Sequence, residues 1–304
     1  MKNLNCWQKT KMKNKKSCVT IGTFDGVHKG HAALIDKTAE NARLSGCTSI
    51  AVVLEKPVRS VNGIISTYEE KIELIKRRGI DEIFVIEVPS AVLSLNAGDF
   101  FDSFLIGVLN AGEIVCGKDF AFGKDRKGDV VWLKNKAKTN GVKITVAKPF
   151  KIASRIVSSS RIRDLIKKGD VKNANLLLGR NYSFCGAPFC DRGEGTKLGF
   201  PTVNLKVDSA KLLPCGVYVS VISRGKNLFP ALTSIGTRPT FNAGSKVVPE
   251  THILDFSGKW GKTKSCVSLL KKIRDEKKFD SVESLKEEIK KDVKKAADFF
   301  GLTV

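Results

Sequence analysis

Between residues 18 and 150 the apolar residues come in short, unbroken runs: CVTIG (18–22), SIAVVL (49–54), EIFVIEV (82–88), EIVCG (113–117) and VKITVA (142–147). They lack the apolar/polar alternation of a half-exposed strand, which predicts strands buried on both faces. Between them lie HAALIDKTAENARLSG (31–46), STYEEKIELIKRRG (66–79) and AGDFFDSFLIGVLNAG (97–112), with apolar residues three and four apart and a glycine at or near each end. That spacing predicts helices. Strand–helix alternation predicts a parallel α/β sheet with right-handed crossovers.

From Tyr182 the pattern changes. The runs GVYVSVIS (216–223), LFPALTSIG (228–236), ETHILDF (250–256) and KSCVSLLKKI (264–273) follow one another across Gly, Pro, Asn and Ser, with no helical stretch between. This predicts a small, largely antiparallel barrel or sandwich. SVESLKEEIKKDVKKAADFF (281–300) then reads as a helix capped by Asp280 or Ser281, with Val282, Leu285, Ile289, Val293 and Phe300 on its apolar face. The break falls near 180, after RIRDLIKKGDVKNANLLLGR. Domains are therefore expected at 17–181 and 182–304. The first 16 residues, with six lysines and no acid, are expected to form a disordered basic tail.

At 304 residues the chain can bury two cores. Its richest apolar stretch, 91–112, is broken by Asp99 and Asp102, so no membrane span is expected, and no apolar stretch follows the basic N-terminus as in a secretory signal. A cytoplasmic location follows. The net charge of +22 suggests a nucleic-acid partner, but the lysines are spread along the chain, and attraction of polyanionic small molecules gives the same charge. Eight cysteines include no CxxC pair, which argues against a zinc site and for reduced, mostly buried thiols. GKWGKT (258–263) is not a phosphate-binding GxxxxGK[ST] loop, because Phe256 stands where the first glycine belongs.

Two of the three histidines lie in GTFDGVHKGH (22–31), where a strand ends and a helix begins. Gly22, Gly26 and Gly30 allow a tight turn and close approach of a ligand, and a helix N-terminus offers N–H groups to phosphate. His28 and His31 sit at that end, able to donate to phosphate oxygens. In VSSSRIR (157–163), Ser158, Ser159 and Ser160 precede a helical stretch, while Arg161 and Arg163 can neutralise a departing pyrophosphate. In GTKLGFPTVNL (195–205), Thr202 and Asn204 offer hard oxygen ligands for Mg²⁺ on a nucleotide, and DRGEG (191–195) can fold its amides around phosphates.

The strand followed by GxFDGxHxGH, which includes Phe24 and Asp25, resembles the nucleotidyltransferase superfamily. Together with GKDFAFG (117–123) and VSSSRIR it is similar to the adenylyltransferase module of bacterial bifunctional riboflavin kinase/FAD synthetases. GTKLGFPTVNL, with Gly195, Gly199 and Pro201, SIGTRPTF (234–241), PETHILD (249–255) and RDEKKFDS (274–281), with Arg274, resemble the riboflavin kinase module in the same order. The resemblance runs from about residue 18 to 300. It implies a Rossmann-like α/β nucleotidyltransferase sheet followed by a small antiparallel β-barrel with a C-terminal helix.

The resemblance further implies two reactions, with ATP as co-substrate and Mg²⁺ as cofactor. Riboflavin is phosphorylated to FMN, with Glu250 assisting the attacking hydroxyl, and FMN is then adenylylated to FAD with release of pyrophosphate. Asp119 and Phe122 are the candidates for flavin or adenine recognition. His252 is expected to make a structural hydrogen bond. Where the family often has Gly-Arg, this chain has Gly195-Thr196, which passes a phosphate contact to Lys197 or Arg192. LEKPVRS (54–60) replaces the family's aromatic-x-Pro-His-Pro. Two alternatives stay open: a kinase whose N-terminal half has lost adenylyl transfer, and a basic, flavin-responsive nucleic-acid binder. The sequence sets no oligomeric state.

Overall fold

The computed structural model describes residues 2–3, 15–55, 63–87, 91–189, 194–239 and 245–303. Most of the 1–16 tail, the 56–60 part of LEKPVRS, Arg192 and the 240–241 end of SIGTRPTF lie outside the described residues, as does the side chain of Lys197.

The chain divides into two compact units, one comprising 1–62 and 66–159, the other 63–65 and 160–304. In the first, strands β1 (Lys2–Asn3), β2 (Ser17–Gly22), β3 (Thr48–Leu54), β4 (Glu82–Ile86), β5 (Ala111–Gly117) and β8 (Lys143–Ala147) form one sheet in the order β1-β4-β3-β2-β5-β8. Every neighbouring pair is parallel. Short pairs β6 (Ala121–Phe122) with β7 (Gly128–Asp129), and β9 (Lys151–Ile152) with β10 (Arg155–Ile156), are antiparallel.

The unbroken apolar runs are explained by two covered faces. Ile50 and Val52 of β3 enter a core with Phe84, Phe101 and Phe104, whereas Ala51 and Val53 join Ile35, Ile72 and Ile75 on the other side. Phe84 has no exposed surface. Phe84→Ala is expected to cost about 3–5 kcal/mol, read as a lowered denaturant midpoint with unchanged slope. VKITVA departs from the pattern: β8 stays partly exposed because it is an edge strand.

Helices α1 (Lys29–Leu44) and α2 (Tyr68–Lys76) follow the predicted stretches. The 97–112 stretch does not form one α-helix. It contains α4 (Ala97–Asp99) and a π-helix over Phe100–Val108, preceded by α3 (Ala91–Ser94). A 3₁₀ turn (Lys124–Arg126) and α5 (Val130–Thr139) were not legible in the apolar pattern. α6 (Ser159–Lys167) starts at the unit boundary.

In the second unit, β11 (Tyr182–Phe189), β12 (Thr202–Lys206), β13 (Gly216–Arg224), β14 (Asn227–Pro239), β15 (Ser245–Ile253) and β16 (Ser265–Arg274) close an antiparallel barrel. α7 (Val171–Leu178) packs with this unit, earlier in the chain than the change of texture near 181. Asn175 shows why: it accepts from Tyr182 N at 2.6 Å and donates to Leu269 O at 2.9 Å. The short α8 (Glu194–Lys197) precedes β12. α9 (Val282–Phe300) has Ser281 as N-cap in a reciprocal box with Ser284. Val282 is 59% exposed, contrary to the expected apolar face, because burial is concentrated farther along, at Val293, Ala296 and Ala297.

The expectation of reduced thiols is corrected at one pair. Cys185 and Cys266 are 81 residues apart in sequence but directly opposite on β11 and β16, and they form a disulfide. Burial pushes the thiol of Cys18 up to about 12 and that of Cys116 up to about 11. Both are therefore packing groups and not nucleophiles.

Candidate active sites

The first site is built where β2 runs into α1. Phe24, Gly26 and Val27 all have left-handed φ, at 48°, 83° and 37°. Such conformations in Phe and Val cost about 1–3 kcal/mol each and persist only where the surroundings over-determine them. Several contacts do so here. Val27 N donates to Phe24 O at 3.0 Å. The buried Asp25 carboxylate accepts from Ser66 N at 3.0 Å, and Gly26 N donates to Ser66 Oγ at 2.8 Å. Ser159 Oγ donates to Asp25 O at 2.9 Å, so VSSSRIR meets the GTFDGVHKGH loop through its second serine.

His28 is the N-cap of α1, and its Nδ1 accepts from His31 N at 3.2 Å. In the neutral ring this leaves the proton on Nε2. The two imidazoles stack with centroids 3.6 Å apart and planes 15° from parallel, and Phe24 meets His31 edge-on at 5.4 Å. A Cβ on Gly30 would lie 3.1 Å from the His28 ring, and one on Gly22 would lie 3.1 Å from the Phe24 ring. Glycine at both positions is what lets these rings sit against the backbone.

Burial, then the neighbouring His28, then the Lys71 ammonium hold the His31 imidazole well below its ordinary pKa. His31 is thus neutral at pH 7 and offers a ligand a hydrogen bond and not a positive charge. The unfolded chain binds the His31 proton at higher pH than the folded one does. Stability should therefore rise with pH through the window below about 6.5 and be lost as pH falls through it. An imidazole NMR titration is expected to place the His31 midpoint well below the ordinary 6.5; a midpoint at or above 6.5 would contradict this environment.

The remaining first-module candidates lie elsewhere. Ser158 is half-buried next to Ser159, while Ser160 is exposed and begins the second unit. Arg161 is half-buried there, and Arg163 Nε donates to Gly63 O at 3.1 Å. Asp119 is exposed after β5. Phe122 packs into the sheet core against Phe100 and Trp132, at 5.3 and 5.6 Å. No described contact joins Asp119 or Phe122 to the histidine loop. Sequence reasoning missed Ser66 and Lys71, neither of which falls in a motif.

The second site is a cavity of about 320 Å³ in the barrel unit, lined by Gly195, Thr202, Glu250, His252, Arg274 and Phe279 among others. Thr202 and Asn204 are alternate residues of β12, and Asn204 pairs across the ladder with Glu250. A Cβ on Gly195 would lie 2.5 Å from Phe200 O and 3.1 Å from Thr202 Oγ1, so glycine is required there. Gly199 takes a left-handed φ of 89°. Pro201 O accepts from His252 Nδ1 at 2.9 Å, which gives His252 the expected structural bond.

Arg274 Nε donates to Asp292 Oδ2 at 2.8 Å, and its guanidinium lies over the Phe279 ring. Burial raises the Asp292 carboxyl despite this partner. Asn204 is buried, and its Oδ1 has no hydrogen-bond partner among the described residues. An orphaned carbonyl oxygen two residues from the Thr202 hydroxyl suits a hard cation such as Mg²⁺.

GKWGKT is a turn and not a nucleotide loop. Trp260 Nε1 donates to Ser265 Oγ at 3.0 Å, and Arg224 stacks on the Trp260 ring at 4.9 Å.

Comparison with known proteins matches residues 10–161 to the FAD synthetase family and residues 178–300 to the riboflavin kinase family. The bifunctional riboflavin kinase/FMN adenylyltransferase of Pseudomonas fluorescens is 31% identical over 91% of both chains. That of Escherichia coli K12 is 31% identical over 95% of both, and that of Bacillus subtilis 29% identical over 96% of this chain and 95% of its own. A crystal structure described as a macrolide-efflux protein from Streptococcus pneumoniae superposes with a TM-score of 0.84 at 30% identity, covering 94% of this chain and 95% of that one. Among the described residues no helix is long and apolar enough to cross a membrane. With both family models matched in order and relatives of this identity over nearly the whole length, the chain belongs to the bifunctional riboflavin kinase/FMN adenylyltransferase family.

Proposed function

We propose that this chain makes FAD in two steps, each at one of the two sites above. In the barrel cavity the riboflavin 5′-hydroxyl attacks the γ-phosphorus of ATP, giving FMN and ADP. Glu250 orients the hydroxyl and takes its proton. Thr202 Oγ1 and Asn204 Oδ1 would hold Mg²⁺, which when bound would supply charge neutralisation on the nucleotide phosphates. Gly195, Gly199, Pro201 and Lys197 shape the phosphate loop, and Arg274 fixes the cavity wall through Asp292. The observation that carries this assignment is the buried, unpartnered Asn204 Oδ1 across the ladder from Glu250.

At the histidine loop, a phosphate oxygen of FMN attacks the α-phosphorus of a second ATP, and pyrophosphate leaves. The α1 N-terminus, the neutral His31 and the Nε2–H of the His28 ring stacked on it donate to the polyphosphate. Gly22, Phe24, Asp25 and Gly30 form the cradle and Ser158 and Ser159 brace it, while Ser160, Arg161 and Arg163 are the residues that the family resemblance assigns to the leaving pyrophosphate. Asp119 and Phe122 stay as the flavin or adenine candidates, with Phe122 acting from within the core. We also place the protein in the cytoplasm, with riboflavin, FMN and ATP and no nucleic acid as partners. The net charge serves these polyanions, and a filter-binding assay that finds salt-sensitive DNA or RNA affinity would refute that part. A titration of Mg²⁺ against Asn204→Ala tests the cation site. Phosphorylation by the variant should need far more Mg²⁺, and an unchanged Mg²⁺ dependence would refute the ligand assignment.

A further inference from the structure

Lys71 lies in the first turn of α2, is only 3% exposed, and belongs to no motif. Its ammonium donates to Thr23 O at 3.0 Å, Leu54 O at 2.6 Å and Glu55 O at 3.1 Å. All three of its donors are thereby used, each on a backbone carbonyl just past or at the C-terminal end of β2 or β3. We propose that Lys71 is a positioning residue for adenylyl transfer, its buried ammonium tying the Thr23 carbonyl that leads into the strained histidine loop to the Leu54 and Glu55 carbonyls at the end of β3. This rests on the assignment of adenylyl transfer to that loop.

Burying a charge is costly, and apolar replacement of buried charges is often neutral or stabilising. Simple packing would be served equally well by methionine, so a lysine here points to a demand on geometry or field. The geometry is specific. Thr23 O is the last carbonyl before Phe24, the first left-handed residue of the loop. Because the peptide is planar and trans, fixing that carbonyl toward Lys71 turns the Phe24 N–H the opposite way. Leu54 O is fixed while the N–H of the same peptide, on Glu55, donates to Ile86 O at 2.9 Å. The same ammonium contributes to holding His31 neutral. The titratable groups that face it are the carboxylates of Asp25 and Glu55 and the neutral His31 imidazole, and burial brings Lys71 down to about 8 against the pull of those two carboxylates.

The test uses the full chain with Lys71→Met and Lys71→Gln, the latter retaining two N–H donors without charge. Both reactions are measured in the same preparation. For Lys71→Met the kcat of FMN adenylylation should fall by about 100-fold while riboflavin phosphorylation is unchanged, with Lys71→Gln in between. The His31 imidazole titration should move up in both. Wild-type kcat in both variants, or equal loss of both activities with the fold intact, would overturn the proposal. If neither variant folds, the wild-type chain decides: the ratio of adenylylation to phosphorylation should fall along the Lys71 titration followed by NMR, and a constant ratio would overturn the proposal. A wild-type chain that phosphorylates riboflavin but makes no FAD would instead remove the adenylyl-transfer assignment on which this inference rests.

Discussion

Glu250→Gln should abolish most riboflavin phosphorylation, lowering its kcat by about 10²–10⁴-fold, the range for a removed general base. Supplied FMN should still be converted to FAD at the wild-type rate. The substitution keeps the shape of the side chain and its place opposite Asn204 in the β12–β15 ladder. It removes only the group that accepts the hydroxyl proton. Product separation after incubation with riboflavin or with FMN distinguishes the two steps. Retained phosphorylation would move the proton acceptor elsewhere in the cavity.

His28→Asn is the complementary change. Alanine would remove both the ring and the N-cap of α1, and losing a cap alone costs about 1 kcal/mol. Asparagine is among the preferred N-caps, so it keeps an acceptor for His31 N while removing the ring that stacks on His31. Adenylylation should fall by about 10²–10³-fold, the scale for a lost donor at a developing charge, with phosphorylation unaffected. A further reading of the same variant is the His31 titration, which should move up once its stacked neighbour is gone. Equal loss of both activities would contradict the division of labour.

Much of this was legible in the sequence, for physical reasons. Strands covered on both faces must be apolar at every position, so the β2, β3, β4 and β5 runs stood out. The histidine loop and the PTVN segment were legible because phosphate and cation chemistry needs glycines, a helix start and hard oxygens in close succession. Lys71 and Ser66 were not, since they act on the loop from 40 to 48 residues away through generic donors. The Cys185–Cys266 bond depends on barrel register, which no local spacing encodes. Phe122 sits in a family-like motif, yet its ring fills the core beside Phe100 and Trp132. α5 escaped notice because its buried contacts are few: only Leu133 and Ala137 are fully covered. The neutrality of His31 was not legible, because burial and stacking are properties of the folded loop.

One chain is expected to perform both steps, each at its own site. Incubating the wild-type protein with riboflavin, ATP and Mg²⁺ and separating the flavins tests it most directly. FMN should accumulate first and FAD follow; FMN without FAD, or neither product, would contradict a two-step enzyme.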